Sequence, residues 1–215
     1  MQPPEVYGVV LTHGERNPLP VIEQISTICE QVVVVHDSRS GGHHIEFDQL
    51  ADVSDITIVE RDFDTFPAQR NAGLDKVRAD WVLSVDSDEC LTLDLKEEIA
   101  SLTPDPDTKI YSIARQEIVH GKELRARLYC DYHPRLFSSD LRYAPKPEVH
   151  EEFEVADYSQ AINLKNPLVH YIEDSHLELI RKAISYGRRW QKSQNSRNYN
   201  NVQILATIPN NLLRH

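Results

Sequence analysis

"FPAQRNAGLDKVRADWVLSVDSDECL" (residues 66–91) begins as a helix and ends as a strand that delivers acids. Pro67 suits a first helical turn, where its missing N–H goes unneeded, and Ala68, Ala72 and Val77 fall toward one side. "DWVLSVD" (80–86) is a short apolar run, the pattern of a strand covered on both faces. It leads directly into Asp86, Asp88 and Glu89. In an open parallel sheet, ligands bind outside the carboxyl ends of the strands, so this stretch predicts both an architecture and a place for chemistry.

Upstream, "EVYGVVLTH" (5–13), "QVVVVHD" (31–37) and "DITIVERD" (55–62) repeat the apolar-strand pattern. Between them, "LPVIEQISTICEQ" (19–31) sets Val21, Ile22, Ile25 and Ile28 at helical spacing behind Pro20, and "GGHHIEFDQLAD" (41–52) reads as a weaker helix. Strand and helix in alternation predict an α/β fold with a mostly parallel sheet and right-handed crossovers. Past residue 108 the pattern changes. "KIYSIARQEIVHG" (109–121), "YHPRLFSS" (132–139), "PEVHEEFEV" (147–155) and "INLKNPLVHYI" (162–172) read as strands separated by turns and prolines. From 174 to about 200 an amphipathic helix is expected, with Leu177, Ile180, Ala183, Ile184, Gly187 and Trp190 recurring at three and four.

The 215 residues suit one domain with a substantial core, and 40% hydrophobic and 27% charged residues are globular values. The N-terminus has no basic flank, long apolar run or cleavage site, so a cytoplasmic location is expected. Cys29, Cys90 and Cys130 are odd in number and in no metal or redox spacing, so they read as reduced packing residues. A net charge of −11 weighs against a nucleic-acid partner. The exception is residues 176–200, where Arg181, Lys182, Arg188, Arg189, Lys192 and Arg197 face only Glu178. That basic helix either rests on an anionic membrane surface, is simply solvated, or covers donor phosphates.

In an extended segment Asp86 and Asp88 point to the same side, with Ser87 turned away. Two converging oxygen donors suit a hard cation, Mg²⁺ or Mn²⁺, that keeps other positions for water and phosphate. The alternative is a solvated turn or the N-cap of a following helix.

With these residues in view, residues 66–91 closely resemble the corresponding stretch of GT-A fold glycosyltransferases of family 2, in particular small bacterial enzymes similar to lipopolysaccharide core β-glucosyltransferases. There an Arg-Asn-Gly helix precedes a Trp-bearing strand ending in Asp-x-Asp-Glu. The likeness continues in "HPRLF" (133–137), "VHE" (149–151) and "VHY" (169–171), followed by a helix carrying Lys182 and Tyr186.

The resemblance implies a Rossmann-like GT-A fold in three parts: a donor-binding half over 1–107, a mixed acceptor and catalytic half over 108–172, and a helical segment over 173–215. It also implies a nucleotide-sugar donor, UDP-linked by default, a divalent cation, and a glycan or lipid-linked acceptor such as lipopolysaccharide core. Peripheral contact with the inner face of the membrane through 176–200 would suit such an acceptor. Asp86 and Asp88 match the motif that holds metal, ribose and diphosphate. Asp37 matches the acid that contacts base or ribose, Thr12 and Glu15 stand where the nucleotide pocket is lined, and Arg70 matches a basic residue near the donor. One departure is "SRSGGHH" (38–44), which replaces the usual Ser-x-Asp-x-Thr continuation.

Transfer to a hydroxyl also needs a base. Glu151, directly after His150, is the first choice and implies inversion, with Glu152 beside it and Asp131 in reserve; the alternative is a surface strand of alternating charge. His170 is either a packed core histidine or the late histidine that some GT-A enzymes bring to the metal. Arg135 either faces the diphosphate or pairs with a carboxylate. Two other functions share these features. A sugar nucleotidyltransferase would need a Gly-rich, Arg-bearing loop after the first strand, and "LTHGERNPLP" (11–20) offers a single Gly. A non-catalytic sugar-nucleotide-binding domain would not need both aspartates together with a glutamate in the acceptor half.

Overall fold

A computed structural model of the chain describes residues 4–13, 17–39, 55–104, 107–119, 121–123, 132–145, 152–154 and 158–172. The helices expected over 41–52 and 174–200 lie outside them.

Strands β1 (Val6–Thr12), β2 (Gln31–Asp37), β3 (Ile56–Arg61) and β4 (Trp81–Asp86) lie in the order β3-β2-β1-β4, every pair parallel. Helices α1 (Leu19–Ile25) and α2 (Phe66–Leu74) are the first two of the described helices. The central strands are covered on both faces. Val10, Val34, Leu83 and Val85 join Ile22 and Ile25 of α1 in one core, while Val9, Leu11, Val35 and Val82 join Leu74 in the other. This double burial explains the near-continuous apolar runs that made these strands legible. Gly73 lets α2 lie close: a Cβ there would stand 2.8 Å from Val9 Cγ1 and 2.9 Å from Val35 Cγ2.

Beyond β4 the sheet becomes mixed. β8 (Tyr132–Ser138) is antiparallel to β4 and to β6 (Ile110–Val119). β6 then changes partners. Its first half, Ile110–Ala114, pairs with β8, and its second, from Arg115 on, pairs with β10 (Leu168–Ile172). β5 (Glu89–Leu91) closes the order β4-β8-β6-β10-β5, while β7 (Lys122–Glu123) and β9 (Ile162–Asn163) pair with β6. The sheet therefore curls so that β5, three residues after β4 ends, lies at the far side of β10.

Several expectations need correction. The chain does not stay extended through Asp88: β4 stops at Asp86, Ser87 and Asp88 form a turn, and β5 returns against β10. Two contacts fix this turn, the Ser87 N–H donating to Leu11 O (3.0 Å) and the Tyr171 N–H to Asp88 O (3.3 Å). Thr92, accepting from the Leu95 N–H at 3.1 Å, caps α3 (Leu93–Ala100). The buried face of α2 is Pro67, Gln69, Arg70, Gly73 and Leu74, while Ala68 and Ala72 are half-buried, because the helix turns polar side chains toward the sheet. Among the described residues, the run 147–155 contributes a single antiparallel bridge, Tyr143 to Phe153, and 162–172 divides into β9 and β10 around Pro167. Cys29 is buried, its thiol pushed up to about 12 by burial, as a packing residue should be.

Candidate active site

Three groups of side chains gather where β1, β2 and β4 end. The first is built on β4. Alternation puts Val82, Ser84 and Asp86 on the face that α2 covers. Arg70, buried on α2, forks across two of them, donating from Nη1 to Ser84 Oγ and from Nη2 to Asp86 Oδ1, both at 2.9 Å. Arg135 of β8 donates to Asp86 Oδ2 at 3.0 Å and also to Glu89 Oε1. Glu89, fully buried, accepts the Asp86 N–H on its other oxygen at 3.1 Å.

Two guanidiniums and two carboxylates thus form a charge-balanced network, buried except at Asp86, whose side chain is 29% exposed. Burial alone would raise the pKa of Asp86, but Arg70 and Arg135 outweigh it and hold the carboxyl far below the usual range. Burial pushes Glu89 up, partly offset by Arg135, and its neighbour Asp86 adds to the rise. The guanidinium of Arg135 loses hydration, yet Glu89 and Asp86 hold its proton more tightly than usual.

The second group stands at the turn. His170 Nε2 lies 3.0 Å from Asp88 Oδ2. Its Nδ1 faces Glu117 Oε1 at 4.0 Å, and Glu117 in turn accepts from Arg115 Nη2 at 3.1 Å. Asp86 and Asp88 are therefore held by different partners, since the turn between them breaks the alternation that would have aimed them together.

The third group surrounds Asp37 at the end of β2. Its Oδ1 accepts the N–H groups of Arg39 (3.0 Å) and Phe63 (3.1 Å), and His13 Nδ1 stands 3.7 Å from Oδ2. Burial works against the charge here, but those donors win and lower the pKa. His13, Phe63 and Phe66 pack edge to face, with ring centroids 5.0, 5.5 and 5.1 Å apart. The result is an anionic acceptor set beside an aromatic wall.

Of the residues expected from sequence, Asp37, Arg70, Asp86, Asp88 and His170 stand in these groups, and Thr12 is buried at the end of β1, in register with His36 of β2. Glu152 is exposed, and its backbone carbonyl accepts from the Ala144 N–H at 2.7 Å. Glu15, Asp131 and Glu151 lie outside the described residues. Sequence reasoning passed over His13, Phe63, Phe66 and Glu117. The first three each fall within five residues after a strand end, a positional signal that was available, whereas Glu117 lies inside β6 and offered none.

No family model matches the chain. Solved structures do. TarS from S. aureus superposes with a TM-score of 0.57 at 12% identity, over 94% of this chain and 42% of TarS. A TarS 1–349 structure in complex with UDP-GlcNAc gives 0.56 at 14% identity, over 96% of this chain and 72% of that one. The fold is Rossmann-like, of the GT-A type. A mannosyltransferase from Pyrobaculum calidifontis, solved in complex with GDP-Man and Mn²⁺, gives 0.50 at 17% identity over 92% and 66%. The chain thus spans less than half the length of full TarS. Among the described residues no helix is long and apolar enough to cross a membrane.

Proposed function

We propose that the chain is a metal-dependent glycosyltransferase that uses a nucleotide-sugar donor. The observation that carries this reading is the gathering of the Asp37 aromatic nest and the Asp88–His170 pair beyond the carboxyl ends of the parallel strands β2 and β4, where an open α/β fold binds ligands. The nest offers acceptors and a ring wall for a base and ribose. Support comes from fold-mates solved with UDP-GlcNAc, and with GDP-Man and Mn²⁺.

The residues present fit a divalent cation. Asp88 and His170 are the pair that would hold it, since they converge at 3.0 Å and both remain partly open to solvent. Among the described residues no group of three or more such side chains closes into a cage. That open set suits Mn²⁺ or Mg²⁺ sharing its shell with water and a diphosphate. When bound, the cation supplies Lewis-acid stabilisation of the leaving diphosphate, typically worth several kcal/mol.

Asp86 has both oxygens taken by guanidiniums, so its part is to fix Arg70 and Arg135 beside the donor. Glu151 is the proposed base, with Glu152 and Asp131 as the other candidates. A positioned carboxylate of this kind contributes roughly 10²- to 10⁴-fold by taking the acceptor proton, and attack from the opposite face inverts the anomeric carbon. The donor is proposed to be a UDP-hexose and the acceptor a glycan or glycolipid of the lipopolysaccharide-core kind, reached in the cytoplasm or at the membrane's inner face.

Calorimetric titration of UDP, GDP and ADP, each with and without Mn²⁺, tests the reading on wild type and Asp88→Ala. Metal-dependent binding of one nucleotide that the variant loses is expected. Absence of binding by all three would mean that the acidic strand end is purely structural.

A further inference from the structure

Strand β10 lies between β6 and β5, and its register sets His170 opposite Glu117 on one side and Glu89 on the other. Glu89 is committed to Arg135 and the Asp86 backbone. Among the described residues Glu117 is hydrogen-bonded to Arg115, whose Nη2 stands 3.1 Å from Oε1. The ring nitrogen that faces Glu117, His170 Nδ1, is buried and has no hydrogen-bond partner among the described residues. A buried polar atom left unpaired is destabilising and calls for a reason. The 4.0 Å separation from Glu117 Oε1 exceeds a hydrogen bond by about one ångström.

We propose that Glu117 is the positioning residue for His170, with Arg115 fixing Glu117 in turn. By accepting Nδ1–H it sets the ring so that the Nε2 lone pair is directed at a cation held beside Asp88. Histidines that bind metals through one nitrogen generally donate from the other to a carboxylate or carbonyl, which fixes ring orientation and raises ligand basicity. A carboxylate directly opposite in the neighbouring strand, itself pinned by an arginine, meets that requirement. This role rests on the reading that Asp88 and His170 hold the cation.

Mn²⁺ binding is measured by calorimetry, and by the loss of the free-ion electron paramagnetic resonance signal, in the presence of UDP. The proteins are wild type, Glu117→Ala, Glu117→Met, Arg115→Met and His170→Ala. Glu117→Ala is expected to weaken Mn²⁺ about ten- to a hundredfold, with Arg115→Met losing less. Nitrogen-15 shifts of the His170 ring, recorded with Mg²⁺ and UDP, are expected to show the proton on Nδ1 in wild type.

Mn²⁺ affinity unchanged within about twofold in both Glu117 variants would overturn the role. So would a ring protonated on Nε2 in the metal-loaded wild type. Should Ala disturb β6–β10 pairing, seen as a lower melting temperature, Glu117→Met decides, because it keeps the side-chain length without a carboxylate or carbonyl acceptor. Mn²⁺ binding that survives His170→Ala removes the cation site itself, an outcome distinct from loss in His170→Ala with retention in Glu117→Ala and Glu117→Met.

Discussion

Arg135 donates from Nη2 to Asp86 Oδ2 at 3.0 Å, joining β8 of the mixed half to the last residue of β4. The same nitrogen serves Glu89, which is 1% exposed. Arg135 therefore bridges two acids at the seam between the halves of the sheet, with Arg70 supplying the second positive charge. Removing one partner of a buried ion pair strands a charge, at a cost of about 3–5 kcal/mol. Arg135→Met should lower unfolding stability by that amount in urea titration. Adding Glu89→Leu should recover much of the loss, because the stranded charge goes with it. A single variant within about 1 kcal/mol of wild type would mean that the network is not electrostatically coupled.

The pH dependence of Asp86 has a definite sign. Its folded pKa is depressed, so below the ordinary value near 3.8 the unfolded chain binds more protons than the folded one, and stability rises with pH across that window. The contribution is complete above about pH 3.8 and is lost as the pH falls toward the folded pKa. Asp86→Asn should therefore be less stable than wild type at pH 7, with the deficit shrinking below pH 4. Urea titrations at pH 7, 4 and 3 measure this, and a deficit that stays constant across them would contradict it.

Much of the fold was legible because β1, β2 and β4 are buried on both faces and read as unbroken apolar runs. The buried side of α2 was not. Arg70 and Gln69 face the sheet, so a search for apolar periodicity selected Ala68 and Ala72 instead. Likewise Asp86 and Asp88 were recognisable as acids at a strand end, and Arg135 and His170 were read as candidates for a carboxylate and for the metal, but which acid each meets was not legible, since both arrive from strands far along the chain. The curl that brings β10 beside β5 depends on β6 exchanging partners midway, and no local pattern announces that exchange.

Asn71 brackets one residue of the mixed half. Its Nδ2 donates to Tyr143 O and its Oδ1 accepts from the Tyr143 N–H, each at 2.9 Å. Replacing it removes the Asn71 partner of both the N–H and the C=O of Tyr143, beside the Phe137, Tyr143 and Phe153 rings. Asn71→Ala should destabilise by about 2–3 kcal/mol, more than a single neutral hydrogen bond contributes. Asn71→Asp should keep the acceptor and lose the donor, and fall between. Thermal unfolding of the three proteins orders them; an Ala variant as stable as wild type would show that the bracket is not retained in solution.

Gln69 offers the opposite case, a side chain whose removal should help. It is 3% exposed, and neither amide atom has a hydrogen-bond partner among the described residues. Its place on α2 is set by its neighbours on the same side. Phe66 packs against His13 beyond the end of β1, and Gly73 lies over Val9 and Val35, so Gln69 sits between them, toward the strand ends. A buried polar group left unsatisfied costs about 1–3 kcal/mol, whereas methionine fills a similar volume with no such requirement and is as good a helix former. Gln69→Met should therefore raise unfolding stability by about 1–2 kcal/mol in the absence of ligand. A loss of stability would instead reveal a buried water or other partner satisfying the amide. Urea unfolding of the free protein reads the sign directly, and the sign is the informative part, because few substitutions at a position this buried are expected to stabilise at all.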